Sequence, residues 1–162
     1  IMIIGAALIV LVHGVFSMPL FNFWGVAVAL VVVLGVALSL VPSAMWPSVP
    51  KIIPENQLGT AFSLIFWIQN WGLMGVPLLI GYALDKSNPE VLAAKAQVAD
   101  GVEGVVVPVY DYTNPMLIFT AFGVLAILVG FLLKREDKKK GYGLQLPNIK
   151  AIAEEVTEKE EE

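Results

Sequence analysis

The sequence predicts an all-α membrane protein with four transmembrane helices, and three observations predict it. Hydrophobic residues make up 57% of the chain and charged residues 15%, where a soluble domain carries roughly a quarter. Mean hydropathy is +0.78. The missing charge is concentrated in blocks: positions 1–50, 56–84 and 112–133 contain no Asp, Glu, Lys or Arg. About 20 helical residues cross the hydrocarbon of a bilayer, so each block is long enough to span it. In lipid the backbone must satisfy its own hydrogen bonds, which selects helices over irregular chain.

The first block is too long for one crossing. Ser17, Met18 and Pro19, followed by Asn22, mark a turn, because proline and small polar residues interrupt a helix. The block divides into helices at about 1–18 and 21–46. Trp24 lies near the start of the second, where an indole suits the membrane interface. Pro42, Pro47, Pro50 and Pro54 follow, around Lys51 and Glu55. Each proline removes a backbone donor, so a kinked helix end and a short polar loop are expected here. The third helix is placed at 58–84 and the fourth at 112–133, with 85–111 as a polar loop. Residues 1–134 then form the transmembrane part and 135–162 a charged tail, basic first and acidic at its end. Ile1 opens inside an apolar run with neither a positive leader nor a cleavage pattern. That excludes a secretory signal peptide there and gives the expectation that the sequence starts partway through a longer protein.

Lysine and arginine near the helix ends set the orientation. Lys134, Arg135, Lys138, Lys139 and Lys140 put the tail in the cytoplasm. Counting back four crossings puts Lys51 inside, and Pro19 and the 85–111 loop outside.

Net charge is −4, and no basic patch with interleaved aromatics suggests nucleic acid. The chain has no cysteine and one histidine, His13, so a Cys- or His-based metal site is excluded. No nucleophile with a base, no paired intramembrane carboxylates, no HExxH and no phosphate-loop pattern appear. The chain therefore reads as neither an enzyme nor the holder of a cofactor.

The chemistry available is polar groups at membrane depth. At about 100° per residue, Gly59, Ser63, Phe66, Asn70, Met74, Pro77 and Gly81 share one stripe of the third helix. Trp67 and Trp71 lie on an adjacent stripe, and Gln69 lies to the other side of Asn70. Amides at this depth face protein or water rather than lipid. The plain reading is an interhelical hydrogen bond; the functional one is a polar group lining a solute path. Pro77, with Gly72, Gly75 and Gly81, makes this helix easy to bend. On the second helix Gly35, Ser39, Ser43 and Trp46 follow one another along a face. Trp46 reads either as an interface anchor or as a wall against solute. Small residues four apart allow close helix approach, here Gly35/Ser39/Ser43, Gly59/Ser63 and Ala126/Gly130. His13 reads as a packed, hydrogen-bonded histidine. Lys51 and Glu55 read as a loop pair with the makings of a cytoplasmic latch.

Two stretches, Ser39-Leu-Val-Pro-Ser-Ala-Met-Trp-Pro-Ser-Val-Pro50 and Ile53-Pro-Glu-Asn-Gln-Leu-Gly-Thr-Ala-Phe62, resemble the tenth-to-eleventh helix region of the major facilitator superfamily. Ile68-Gln-Asn-Trp-Gly72, then Pro77 and Gly81-Tyr-Ala-Leu-Asp85, look most like its branch containing the lysosomal dipeptide transporter and bacterial relatives. The resemblance runs from Ile1 to about Lys140; the tail beyond Gly141 matches nothing. It implies that the four helices are the ninth to twelfth of a twelve-helix transporter whose first eight are missing from this chain. It implies alternating access around a midplane site, for small organic solutes, with short peptides as the specific expectation. In that superfamily the tenth and eleventh helices contact the cavity most. The resemblance thus implies substrate-binding roles for Ser39, Ser43, Trp46, Trp67, Gln69 and Asn70, and lessens the case for His13.

The expected partners are the lipid bilayer, the missing N-terminal helices and a small-molecule substrate, with no nucleic acid. A four-helix membrane scaffold or assembly protein is the competing reading. The small faces and long outer loop suit it; the apolar start and the proline-rich turn after Trp46 do not. Neither Asn88 nor Asn114 has Ser or Thr two residues on, which favours a bacterial inner membrane, with the lysosomal membrane the expectation for a eukaryote.

Overall fold

The computed structural model describes residues 1–18 and 23–146. Within them the chain forms helices and turns and no strand. The long helices are α1 (Met2–Phe16), α2 (Trp24–Met45), α4 (Leu58–Ser87) and α6 (Thr113–Lys140), with a short α3 (Val49–Ile52) and α5 (Pro89–Ala99) between them. Three helical stretches are long and apolar enough to cross a membrane: Trp24–Ile52, Glu55–Ser87 and Thr113–Lys140. The fourth, α1, has 15 residues, short of the about 20 that a crossing takes.

α1 lies between α2 and α6 and packs along both. Bulk apolarity gives helices in lipid little reason to associate, so close backbone approach has to supply the contact. Glycine supplies it. A Cβ on Gly5 would stand 3.0 Å from Val41 and 3.1 Å from the Ala37 carbonyl of α2. One on Gly123 would stand 2.7 Å from Val10, and one on Gly130 3.0 Å from Ile3. Ala6, Val12 and Ala37 are sealed at these seams. Gly130 was legible as a packing position; Gly5 and Gly123 were not, having no small partner four residues away. Conversely, Gly35 and Gly59, read as packing positions, have nothing within 4 Å.

α4 is different. It touches α6 over a short length and has no buried residue. Beside its contacts with the short α3 and α5, it meets Trp46, whose ring centroid lies 5.9 Å from Phe62 and 5.3 Å from Phe66.

Three boundaries differ from expectation. The helix does not stop at Trp46. Trp46–Ser48 makes a 3₁₀ turn and Val49–Ile52 another helical turn before the chain extends at Ile53. Pro47 and Pro50 fall inside this continuous helical stretch, where each removes a donor to the preceding turn. The 85–111 stretch is not all loop: α4 runs on to Ser87, and Pro89–Ala99 is helical. Its alanines favour helix, with Pro89 opening the first turn and Glu90 complementing the N-terminal dipole. α6 continues past Leu133 to Lys140, ending where Gly141 takes φ +68° and donates its N–H to the Asp137 carbonyl. The expected tail therefore begins as helix; residues 147–162 lie outside the described part.

Candidate functional site

The helices set out three places where polar groups meet apolar membrane-depth surface. The first is the contact of the Trp46–Ser48 turn with α4. Trp46 stacks against Phe66, one turn before Asn70 on the same stripe. Asn70 is exposed near the middle of α4, and its side-chain N–H donates to the Phe66 carbonyl at 2.9 Å. The amide therefore closes one donor onto its own helix and leaves its second N–H and its oxygen for partners outside. Ser39, Ser43 and Ser63 do likewise. Their hydroxyls donate to the carbonyls of Gly35, Leu40 and Gly59 at 2.8–2.9 Å. Back-bonding of this kind satisfies a hydroxyl in lipid without a neighbouring helix.

The second place is a groove between α4 and α6, of about 820 Å³, lined by Gln69, Gly72, Leu73, Val76, Pro77 and Phe119 among others. Its one polar side chain is Gln69. Pro77, having no N–H, leaves the Leu73 carbonyl without its helical donor; the groove wall itself is almost wholly apolar. Phe119 also faces His13 of α1 at 5.1 Å between ring centroids. His13 engages the Ile9 carbonyl through Nδ1 at 2.9 Å, so it is packed and hydrogen-bonded as its sequence context indicated.

The third is a larger cavity, about 940 Å³, at the end of α1, α2 and α6. Ser43, Ser48, Lys51, Lys134 and Asp137 line it with Leu144 and Leu146. Here Lys51 departs from expectation. It makes no ion pair with Glu55; among the described residues the only ion pair is Lys139 with Glu136. Instead the Lys51 ammonium donates to the carbonyls of Gly143 at 3.0 Å and Leu146 at 2.5 Å. Asp137 accepts the Leu144 N–H at 3.1 Å. The segment after α6 is thus strapped across the end of the helices. The prolines beside Lys51 mark a turn in the sequence, but a lysine held by carbonyls 92 and 95 residues away leaves no local sequence pattern.

The six residues singled out do not share one pocket. Trp46 meets the Asn70 stripe; Gln69 lines the α4–α6 groove; Ser43 lines the end cavity; Ser39 is exposed on α2. Trp67 packs edge-on against Trp71 at 6.0 Å and is 60% exposed. Sequence reasoning missed Phe119 and the Leu73 carbonyl, although the second follows from Pro77 alone. Among the described residues no group of three His, Cys, Asp or Glu side chains gathers to hold a metal ion.

Beyond the opposite end of the bundle, Asn88 is fully buried. Its amide donates to the carbonyls of Leu84 and Asp111 and accepts the Asp111 N–H at 2.7 Å. This closes the neck of the 89–110 excursion. Hydrogen bonds from the Thr113 side chain and then its backbone N–H hold the Asp111 carboxyl below the usual carboxylate range.

No family profile and no solved structure matches the chain. Curated proteins do. It is 45% identical over 65 residues to the lysosomal dipeptide transporter of Gallus gallus, 40% of this chain and 14% of that protein. It is 44% identical over 68 residues to that of Mus musculus, 42% of this chain and 14% of the relative. With that of Homo sapiens the figures are 38% over 73 residues, 45% of this chain and 15% of the relative. The matched part thus spans about a seventh of the length of these relatives. The resemblance drawn from the motifs at 39–85 agrees with these findings, and with its apolar helices the chain is a multi-pass integral membrane protein.

Proposed function

We propose that this chain is the C-terminal part of a major facilitator transporter that carries small organic solutes, short peptides in particular, by alternating access. In this reading α1, α2, α4 and α6 are its last four membrane helices, with α1 crossing alongside α2 and α6. Lys51 and the end of α6 face the cytoplasm, and the 89–110 excursion faces outward.

One observation carries the proposal: α4, with no buried residue, holds Gln69 and Asn70 exposed near its middle. Amides do not stay against hydrocarbon. They need water or protein on that side, and among the described residues no other helix covers Asn70. The open space around Gly35, Gly59, Gly72, Gly75 and Gly81 lies on the same two helices. Further helices of the transporter would close around a path on this side. A peptide offers backbone N–H and C=O groups. The amides of Asn70 and Gln69 are matching partners, and Trp46, Trp67 and Phe119 supply apolar walls. A self-contained scaffold fits less well, because such a protein would bury α4 rather than leave it thinly attached.

The test is uptake by the full-length transporter, purified and reconstituted in liposomes, of a labelled dipeptide and of a free amino acid. Saturable dipeptide uptake, competed by other dipeptides, is the expected result. A folded protein that takes up neither solute would overturn the proposal.

A further inference from the structure

α6 is longer than a membrane is thick. Its uncharged part, 113–133, is already a full crossing, so 134–140 rises about 10 Å beyond the hydrocarbon at 1.5 Å per residue. That extension carries Lys134, Arg135, Lys138, Lys139 and Lys140, all exposed. Helical geometry puts Lys134, Arg135, Lys138 and Lys139 within about 140° of arc. Glu136 and Asp137 fall outside the arc, and both are engaged. Asp137 accepts the Leu144 N–H of the strap, and Glu136 pairs with Lys139 at 3.1 Å. Lys140 leans over the Tyr142 ring at 5.9 Å. Among the described residues Lys134, Arg135 and Lys138 have no acidic partner.

We propose that this face is a binding surface for the anionic phospholipid headgroups of the leaflet in which α6 ends. Charge sign and height both select that partner. The face begins at the residue after Leu133, the last apolar position, and so lies at headgroup level. Long basic side chains at a helix end extend their stems along the apolar boundary and their charges into the phosphate layer. Each such charge near an anionic surface adds to the attraction, which falls off within a Debye length. The strap engages Asp137 through the Leu144 N–H, and Asp137 makes no ion pair with the basic face. The acidic stretch at 154–162 is the rival occupant. Headgroups of the leaflet lie at the height of this face wherever α6 ends. The proposal is independent of what solute is carried.

The full-length transporter would be reconstituted in phosphatidylcholine bilayers containing spin-labelled phosphatidylglycerol or spin-labelled phosphatidylcholine. The motionally restricted fraction of each reports its preference for the protein. The expected result is a preference for the anionic lipid that falls about twofold or more in K134Q/R135Q/K138Q/K139Q, and that falls in high salt in the parent. E136Q should raise it, and K134R/K138R/K139R should keep it, which separates charge from folding. An unchanged preference in the neutralised protein, monodisperse and with intact helicity, would overturn the proposal. So would a preference that appears only after truncation before Glu154, since the acidic tail would then own the face.

Discussion

Asn70 is the residue on which the functional reading turns. One N–H of its amide is closed onto the Phe66 carbonyl, so what it offers a partner is its second N–H and its oxygen. Asn70→Ala in the full-length transporter should weaken dipeptide affinity about three- to tenfold, the worth of one neutral hydrogen bond. Asn70→Leu should weaken it further, because it fills space as well. A purely structural hydrogen bond to another helix, worth about 0.6 kcal/mol in membranes, would instead lower the melting temperature and leave affinity alone. Binding and thermal unfolding measured on the same purified variants separate the two. The stripe that carries Asn70 follows from helical spacing, and so does its depth. Its closure onto Phe66 does not, since an amide at i has carbonyls at i−4 and on other helices within equal reach of sequence reasoning. The same holds for Ser39 and Ser43.

Among the elements, α1 is held by glycine contacts and the segment after α6 by Lys51. A Cβ at Gly123 meets both the Val10 side chain and, at 3.3 Å, its backbone nitrogen. Overpacking costs about 1–3 kcal/mol, against which alanine returns about 1 kcal/mol of helix propensity. Gly123→Ala should therefore lower the melting temperature of the full-length protein, while Gly14→Ala, whose Cβ enters open space, should hold or raise it. Equal behaviour would mean that the α1–α6 seam is looser than its geometry. Lys51→Ala removes both carbonyl contacts of the strap. Amide exchange at 143–146 should speed up about tenfold, the loss of roughly one charged hydrogen bond, with α6 protected as before. Unaltered exchange would leave Asp137 and the Gly141 cap as the whole of the anchor. Charge-free blocks marked α2, α4 and α6 well, because lipid forbids charge within them. They could not mark α5 or the end of α6, where helix continues into water and charge no longer signals a boundary.

At the scale of the molecule, α1, α2 and α6 form a packed unit to which α4 is loosely joined. The all-helical membrane character was legible because composition and charge blocks report the solvent directly. The arrangement of helices was not: packing in lipid rests on single close approaches such as Gly5 to Ala37, which no periodicity records. Orientation rests on the basic end of α6. A reporter fused after Gly141 of the full-length protein should read cytoplasmic, and one inserted at Ala96 external; the reverse would invert the proposed topology. The central claim is that the Asn70 side of α4 borders a solute path. The most direct measurement is thiol modification of Asn70→Cys in a cysteine-free full-length transporter by a membrane-impermeant thiosulfonate. Reaction should be rapid, and a dipeptide at roughly ten times its dissociation constant should slow it about tenfold by occupancy. Ile68→Cys, on the opposite side of α4, should stay unreactive. An unreactive Asn70→Cys, or one modified equally fast with and without dipeptide, would contradict the claim.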